Sequence, residues 1–431
     1  MTINPSEIMN YPHAKTGVSE APARWRFGSV NILLAFILCL AAFLRFYRLE
    51  AMEFRGDQAD HHEALLGVLE GKIPLCGHRS SPDSRSMMFP PWFYYALIPG
   101  LAFGRSPLAL AGVCAASGVL GVLLCYVCAK RFLGGGWALI PALLMATNAW
   151  AVLETRKLWA PDLMAFFSAL SLYCSLKFLE KPSAATWTVA LTVLAVTAQV
   201  HYSGLPLCAA VPALWLVMKR RIPLSWWIYA FVACFLTVFP FLIYEISKDF
   251  EDLAKFFGVV GGKTARAPTF RGFLFMLETV GMTGIAKYYL GPSARFLSDF
   301  FNKVPPIALV VNGVLSACGA VIILKKVLSS LRHIFAKSPI EETQPPEGAK
   351  YAILLVFLLA PPLIFYSEPL QNCYFFVTMP ALFISIGMAL AVLGRLSEQY
   401  KNNFFTIVSI LLAMTIALAG AAISLEYVRL V

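Results

Sequence analysis

Charged residues are scarce in this chain of 431 residues, of which only 14% are Asp, Glu, Lys or Arg. Hydrophobic residues make up 59% of the sequence, and aromatic residues 13%. Average soluble domains carry about 25% charged residues, so this composition excludes an ordinary soluble globular protein. The sequence predicts a polytopic membrane protein.

Other motifs that are missing from the sequence narrow the range of possible functions. The sequence contains no Gly-rich phosphate cradle, no short-period repeat and no tight metal-ligand spacing. The 35 basic and 24 acidic residues give a net charge of +11, but they lie in short connectors between apolar runs rather than on one soluble face. We therefore expect no nucleic-acid partner, and we expect the basic residues to orient helices and to meet membrane lipids.

Most of the ten cysteines lie within apolar runs, where a thiol packs as a small hydrophobic group. Cys76 and Cys373 alone map to outer loops. A disulfide between them is an open alternative in an oxidising compartment.

About eleven apolar runs approach the roughly 20 residues that a helix needs to cross a hydrocarbon core of about 30 Å. We therefore predict an all-α bundle of about eleven transmembrane helices. The runs are residues 29–47, 107–129, 137–153, 163–179, 185–200, 204–218, 224–245, 306–324, 351–366, 374–394 and 404–424.

The basic connectors fall on one side of the membrane if the N-terminal segment is cytoplasmic, as the positive-inside bias requires. The first run is long and follows a long basic extension, which favours a retained anchor over a cleaved signal peptide. The predicted parts are a cytoplasmic segment 1–28, a catalytic half 29–245 with an outer loop 48–106 that carries juxtamembrane helices within 57–103, an outer cap 246–305, and C-terminal helices 306–431 with a cytoplasmic linker 338–350.

A dense patch of carboxylates and imidazoles directly follows the first apolar run. From Asp57 onward, apolar positions return at helical spacing until Gly71, which predicts an interfacial helix with its carboxylates near the positive end of the helix dipole. In a chain this apolar, such a patch predicts a reaction site at the membrane rim. The plain alternative is that Asp57 only caps the helix. The patch consists of Asp57, Asp60, His61, His62 and Glu63.

Two further polar segments map to the same outer face. Arg156 and Lys157 lie between apolar runs on the side where the positive-inside bias disfavours them, so we expect an anionic ligand such as a phosphate, with snorkelling to lipid phosphates as the alternative. His201 and Tyr202 end the fifth run at a matching level. A purely structural role for His201 remains open.

Taken together, these motifs resemble those of bacterial glycosyltransferases of the C superfamily, in the branch similar to protein mannosyltransferases and aminoarabinose transferases. Their order matches over about the first half of the chain. The motifs are RGDQ at residues 55–58, GKIPL at 71–75, WFYYAL at 92–97, RKLWAP at 156–161 and QVHYS at 199–203.

The resemblance implies inverting transfer of a sugar from a polyprenyl-phosphate-linked donor to a lipid, glycan or protein acceptor at the outer face of the cytoplasmic membrane. Asp57 matches the aspartate that acts as catalytic base or orients the acceptor. Many relatives carry an acidic residue directly after it, where this chain has Gln58. The second carboxylate role is thus left open between Asp60 and Glu63.

The resemblance also places Arg156 and Lys157 near the donor phosphate, with His201 and Tyr202 lining the same pocket. This fits the chemistry, because glycosyl transfer needs a carboxylate for the acceptor hydroxyl and cations for the departing phosphate. A divalent metal ion in place of part of the cationic clamp is an open alternative. Its candidate ligands are Asp57, Asp60, His61 and Asp162.

A transporter or lipid flippase is the main competing class, and a noncatalytic subunit of a cell-envelope assembly is the third. Ion-coupled transporters place ionisable residues near the bilayer midplane. The central parts of the eleven runs contain none. The pattern therefore favours an enzyme with its site at the membrane rim.

Overall fold

The computed structural model describes residues 27–80, 87–218, 222–260, 271–283, 285, 299–335, 348–364, 372–400 and 402–430. Nearly all of the predicted cytoplasmic segment 1–28, most of the linker 338–350 and part of the outer cap 246–305 lie outside these described residues. The division of the chain into a catalytic half and C-terminal helices stays a prediction.

Within the described ranges the chain is all-helical, and the predicted fold class is confirmed. The α-helices are α1 (Phe27–Phe46), α2 (Asp57–Leu66), α3 (Trp92–Leu97), α4 (Pro107–Leu133), α5 (Leu139–Thr147), α6 (Ala149–Glu154), α7 (Met164–Glu180), α8 (Ala184–Val200), α9 (Ala210–Val217), α10 (Leu224–Ser247), α11 (Glu251–Val260), α12 (Arg271–Gly281), α13 (Asp299–Phe335), α14 (Ala349–Ile364), α15 (Met379–Gln399) and α16 (Phe404–Leu430).

Short 3-10 helices extend or connect several of these elements. They span Leu49–Ala51, Gly67–Glu70, Ile98–Phe103, Ala160–Leu163, Tyr202–Ala209 and Asn372–Thr378.

Each of the eleven predicted apolar runs forms helix in its described residues, but their number as full membrane spans is not confirmed. In the described residues, 7 helices are long and apolar enough to cross a membrane, and four shorter apolar helices accompany them. The spans Ala160–Glu180 and Asn372–Ser397 are the most buried, at 72% and 83%, whereas Leu224–Ser247 is only 17% buried. The first two therefore form the centre of the bundle, and α10 lies at its periphery.

The run 137–153 is a broken helix rather than one span. Asn148 takes an extended ψ of 125°, and its side-chain oxygen accepts a hydrogen bond from Ala151 N at 3.1 Å, which caps α6. Its amide nitrogen donates to Thr279 O at 3.2 Å and to Val280 O at 3.3 Å. The break therefore connects α12, from the second half of the chain, to the C-terminal end of α5.

A second break separates α8 from the helices that follow it. His201 has an extended backbone, with φ −158° and ψ 141°, and its Nδ1 accepts a hydrogen bond from Ser203 N at 3.2 Å. The chain then continues as a 3-10 helix that contains Pro206. The break turns the His201 side chain toward the loops at the outer end of the bundle.

The first outer loop contains the two juxtamembrane helices that the sequence predicts between residues 57 and 103. The first begins at Asp57 and ends at Gly71, whose φ of 80° is the left-handed conformation that favours glycine at a helix end. Between the two helices the backbone doubles back, since Gly77 N donates to Phe89 O and Phe89 N donates to His78 O at 2.9 Å. This pairing folds the loop back over the bundle.

Candidate active site

Asp57 is the first residue of α2 rather than its cap. Gly56 occupies the N-cap position, with a φ of 50°, and it makes no side-chain capping bond. The Asp57 carboxylate is exposed, and it has no hydrogen bond or ion pair with any residue that the structure describes. Asp60 and Glu63 are also exposed on this helix. The plain capping alternative therefore does not account for Asp57.

The inward side of α2 carries different residues. Gln58 is buried, and its Oε1 accepts a hydrogen bond from Arg55 N at 3.0 Å, which fixes the turn before the helix. One turn later, His61 is fully buried, with Nδ1 3.3 Å from the hydroxyl of Tyr94. Gln58 thus has a local structural role.

Tyr94 connects the buried and exposed sides of this loop. Burial is the largest cause that raises the pKa of its hydroxyl, and the charges of Cys76, Asp60 and Asp57 raise it further. The two aspartates therefore lie within electrostatic range of Tyr94. The structure brings the predicted acids to a hydroxyl-bearing ring of the WFYYAL motif.

A column of imidazole and aromatic rings runs from the first loop to the break after α8. The ring centroids of His61 and His78 are 4.7 Å apart, and His78 stacks on Phe89 at 4.5 Å. Phe89 in turn stacks on His201 at 5.2 Å and on Tyr202 at 4.3 Å. His201 and Tyr202 are therefore in one cluster with His61, as their matching levels in the sequence predict.

The imidazoles of this column are uncharged at neutral pH. Burial lowers the pKa of His78 to about 4 and that of His201 to about 3, with a smaller effect of His78 on His201. Burial, followed by the charge of His78, also lowers the pKa of His61. The column presents neutral hydrogen-bonding groups rather than cations.

A ladder of alternating charges leads from the surface to the third outer loop. The exposed Arg55 contacts Glu53 at 2.7 Å, and the other carboxylate oxygen of Glu53 lies 3.6 Å from Lys157 Nζ. The buried Lys157 then pairs with the buried Glu154 at 3.0 Å and sits 4.7 Å from the centroid of the Trp159 ring. Glu53 therefore links the buried Lys157 to the exposed Arg55.

Asp162 extends this ladder inward. It is buried beside Glu154 and the backbone of Trp159. It lies within electrostatic range of both Lys157 and Glu154. Cys373, in the 3-10 helix Asn372–Thr378, is in range of the same three groups.

Arg156 is buried and contacts the end of α1 instead of an open surface. Its Nη1 donates to the carbonyls of Leu44, Arg45 and Tyr47 at 3.0, 3.1 and 2.8 Å, and its Nη2 donates to Arg48 O at 2.7 Å. These bonds satisfy carbonyls that a helix end leaves without partners. A donor phosphate would have to replace them in order to contact Arg156.

Helix α11 lies beside Tyr202. The Tyr202 hydroxyl donates to Met88 O at 3.0 Å, and its ring contacts that of Phe256 at 5.6 Å. The carboxylate of Glu245 accepts a hydrogen bond from Leu253 N at 3.1 Å. Residues of the predicted cap thus meet the predicted donor-site tyrosine.

The predicted site residues fall into two neighbouring groups. One is the ring column with Asp57 and Asp60 beside it, and the other is the charge ladder around Lys157. The helix Asn372–Thr378 touches both, because the Tyr374 ring lies 5.6 Å from His201 while Cys373 is near Lys157. No contact between described residues joins the Asp57 carboxylate directly to Arg156 or Lys157.

The candidate metal ligands do not form a metal centre in the described part of the chain. No group of three or more His, Cys, Asp and Glu side chains there has the spacing to hold an ion. His61 is buried among rings, whereas Asp57 and Asp60 are exposed. We therefore derive no catalytic step through a metal.

The disulfide alternative is also not formed, since Cys76 and Cys373 are not bonded to each other. Cys76 is partly buried, and burial, with a smaller effect of Asp252, raises its pKa to about 11. Cys373 is buried next to the charge ladder.

Several residues of these two groups are not among the site residues predicted from the sequence. The spacing of Glu154 and Lys157, three residues apart at a helix end, is a charge-pair signal that the sequence does contain. Glu53, His78 and Tyr94 carry no such signal. Their contacts depend on how the first loop folds back over the bundle.

Part of the chain matches a known family, and solved membrane-protein structures share its fold. Residues 88–244 match the sequence model of the dolichyl-phosphate-mannose-protein mannosyltransferase family. ArnT from Cupriavidus metallidurans bound to undecaprenyl phosphate is similar in structure, with a TM-score of 0.54 and 13% identity over 93% of this chain and 75% of that chain. The same protein in the apo state gives a TM-score of 0.51 and 14% identity over the same shares.

The chain has the fold of these ArnT structures. The resemblance predicted from its motifs is confirmed. The oligosaccharyltransferase of Archaeoglobus fulgidus, in complex with Zn and sulfate, shares the C-superfamily fold with a TM-score of 0.53 and 14% identity. That alignment covers 92% of this chain but only 53% of the oligosaccharyltransferase, so this chain spans about half of its length. No curated protein matches the chain.

Proposed function

We propose that this protein is an inverting glycosyltransferase of the cytoplasmic membrane. It moves a sugar from a polyprenyl-phosphate-linked donor to a lipid, glycan or protein acceptor at the outer face. The C-superfamily fold and the match to a mannosyltransferase family over residues 88–244 support the reaction class. The undecaprenyl phosphate bound to the similar ArnT structure supports the class of donor.

The observation that carries the proposal is the position of Asp57. Its carboxylate is exposed at the start of an outer juxtamembrane helix, within electrostatic range of Tyr94. An acid that neither caps the helix nor pairs with a described cation is available to an incoming hydroxyl. Asp60 and Glu63, exposed on the same helix, are the candidates for a second carboxylate.

The proposed transfer forms one bond and breaks another at the anomeric carbon of the sugar. The acceptor oxygen attacks the anomeric carbon from the side opposite the phosphate, while Asp57 takes the hydroxyl proton. The bond between the anomeric carbon and the phosphate oxygen breaks, and polyprenyl phosphate leaves with the electron pair. A general base of this kind contributes roughly 10²- to 10⁴-fold to the rate.

The departing phosphate needs positive charge, and the charge ladder supplies it. Glu53 uses one oxygen for Arg55 and the other for Lys157. An anionic phosphate has the charge and the acceptor oxygens to take the place of that carboxylate between the two cations. We therefore assign donor-phosphate binding to Lys157 with Arg55, and we expect Glu53 to compete with the donor.

The neutral ring column suits the sugar itself. His201 and Tyr202 carry an imidazole and a hydroxyl without net charge, and both stack on Phe89. Neutral donors and acceptors pair well with sugar hydroxyls. In this arrangement His201 and Tyr202 line the donor pocket, and the cations lie at its phosphate end.

The transporter alternative has less support. Ionisable residues of the seven candidate spans lie toward the helix ends, such as Arg45 in Gly28–Phe46 and Glu245 in Leu224–Ser247. A midplane ion path would need such groups at the centre of the described spans.

The test measures transfer from labelled undecaprenyl-phosphate mannose in membranes that contain the full chain. We expect Asp57→Asn to lower transfer by about 100-fold or more, because it removes the base. Asp60→Asn and Glu63→Gln, assayed alongside, decide which of the two acts as second carboxylate. Glu70→Gln is the matched control, since Glu70 is an exposed acid of the same loop that pairs with Lys72. Undiminished transfer by the Asp57 variant, with wild-type protein active, would remove Asp57 from the mechanism.

A further inference from the structure

Two buried arginines bridge the outer ends of α1 and of the broken helix α5–α6. Arg45 belongs to the last turn of α1, and Arg156 follows α6. Their side chains are 1% and 3% exposed. Guanidinium groups are rarely buried to this degree unless their donors find partners, so the contacts of both groups define their role.

The contacts are reciprocal. Arg45 Nη1 donates to Ala146 O at 3.0 Å and to Ala41 O at 3.2 Å, and its Nη2 donates to Met145 O at 3.3 Å and to Ala151 O at 3.2 Å. Three of these four carbonyls flank the break at Asn148. Arg45 of α1 therefore satisfies the carbonyls at the end of α5.

Arg156 makes the converse contacts, since all four of its carbonyl partners lie at residues 44–48, where α1 ends. The C-terminal end of a helix carries a partial negative charge, which a cation stabilises. Arg45 thus supplies positive charge and hydrogen-bond donors to the end of α5, and Arg156 supplies them to the end of α1.

These two helix ends carry the two parts of the proposed reaction site. The chain runs from Arg48 through Glu53 to Asp57, and it runs from Arg156 directly to Lys157 and on to Asp162. The separation between the acid and the cation is therefore set where α1 meets the α5–α6 break. That junction is held by the two guanidinium groups.

We propose that Arg45 and Arg156 are positioning residues that lock the first outer loop to the third, and that Arg156 does not bind the donor phosphate. This inference rests on the proposed function for its catalytic consequence. The lock itself is a property of the fold and has its own readout. A guanidinium has five donors in a fixed fork, so lysine keeps the charge at either position but cannot reproduce four bonds to carbonyls.

Gly118 of α4 offers a way to disturb the lock without changing either arginine. A Cβ atom at this position would lie 2.5 Å from Arg45 Nε and 2.9 Å from Thr155 Oγ1. Gly112, on the same helix, has only Phe46 within reach, at 4.0 Å. Gly118→Ala therefore presses on Arg45, and Gly112→Ala is its matched control.

The experiment compares Arg156→Lys, Arg45→Lys, the double variant and Gly118→Ala in purified full-length protein. Hydrogen exchange of the backbone amides at residues 44–57 and 148–157 reports on the lock without any substrate. We expect each variant to accelerate exchange in both segments, and the double variant to exceed either single variant by little, because both changes open one junction. Arg131→Lys, at an arginine that pairs with Glu180 on another part of α4, is the control and should leave both segments unchanged.

The second readout is transfer from labelled undecaprenyl-phosphate mannose. A displacement of about 1 Å between reacting groups costs up to roughly 100-fold in rate, so we expect the apparent kcat to fall by about 10- to 100-fold in Arg156→Lys and in Gly118→Ala, with the apparent donor KM within about twofold of wild type. A raised donor KM with unchanged kcat in Arg156→Lys would make Arg156 a phosphate ligand and overturn the proposal. Additive exchange changes confined to the segment that each arginine contacts would also overturn it. An inactive wild-type protein would count against the proposed function, while the exchange data would still decide the lock.

Discussion

Replacing Lys157 by methionine tests the charge ladder most directly. Lys157 and Glu154 form an ion pair at 3.0 Å, and their side chains are 3% and 2% exposed. Methionine fills the volume of the lysine stem but leaves a buried carboxylate without its cation. Removal of one partner from a buried pair costs about 3–5 kcal/mol, because the remaining charge stays desolvated.

The chain provides a close control. Lys177 and Glu180 also pair with a spacing of three residues, at 3.5 Å, but their side chains are 39% and 40% exposed. An exposed pair contributes about 0–1 kcal/mol. Lys177→Met therefore changes the same residue types at the same spacing on an exposed surface, where Glu180 also keeps its pair with Arg131.

The assay is the thermal unfolding midpoint of detergent-solubilised protein at one heating rate, since unfolding of a membrane protein is often irreversible. We expect Lys157→Met to lower the midpoint by about 5–10 °C and Lys177→Met to lower it by about 2 °C or less. Adding Glu154→Gln to Lys157→Met removes the stranded charge and should restore part of the loss. Equal midpoints for the two lysine variants would refute the argument that burial makes the Lys157 pair important.

Three further outcomes follow from the structure. Glu53→Gln should lower the apparent KM for undecaprenyl-phosphate mannose, because it removes the carboxylate that competes for the cations, and an unchanged or higher KM would contradict that competition. Burial and a neighbouring imidazole lower the pKa of His201 to about 3. Below about pH 6.5 the unfolded chain therefore binds a proton that the folded chain does not, and the free energy of unfolding falls by about 1.4 kcal/mol per pH unit. His201→Gln should make the unfolding midpoint depend less steeply on pH between about pH 6 and pH 4. A Cβ at Gly319 would overlap the carbonyl group of Ser385, whereas one at Gly313 meets only a side chain at 4.0 Å, so Gly319→Ala should lower the unfolding midpoint and Gly313→Ala should not.

The sequence by itself determined the class of fold, and it predicts the level of the site. Apolar runs of membrane length must become helices, because backbone groups in a bilayer have no other partners. The position of Asp57 at the start of an outer helix also follows from local signals, since Gly71 closes that helix and the apolar positions within it have helical spacing. Charged residues at the ends of the runs then place the polar chemistry at the rim.

The role of each polar residue was decided only by the tertiary structure. The sequence places Arg156 and Lys157 side by side as equivalent cations, yet Arg156 contacts carbonyls at the end of α1 while Lys157 pairs with Glu53 and Glu154. Two neighbouring side chains point in different directions from one backbone, and their partners lie far away in the chain. No local pattern contains that information.

The same reason explains the break at Asn148 and the ring column around Phe89. Hydropathy records only that residues 137–153 are apolar, whereas the break depends on a side-chain cap and on carbonyls of α12. Stacking of His78, Phe89 and His201 requires the first loop to fold back onto the end of α8. Local composition thus determines which segments become helices, and long-range packing determines which of their side chains meet.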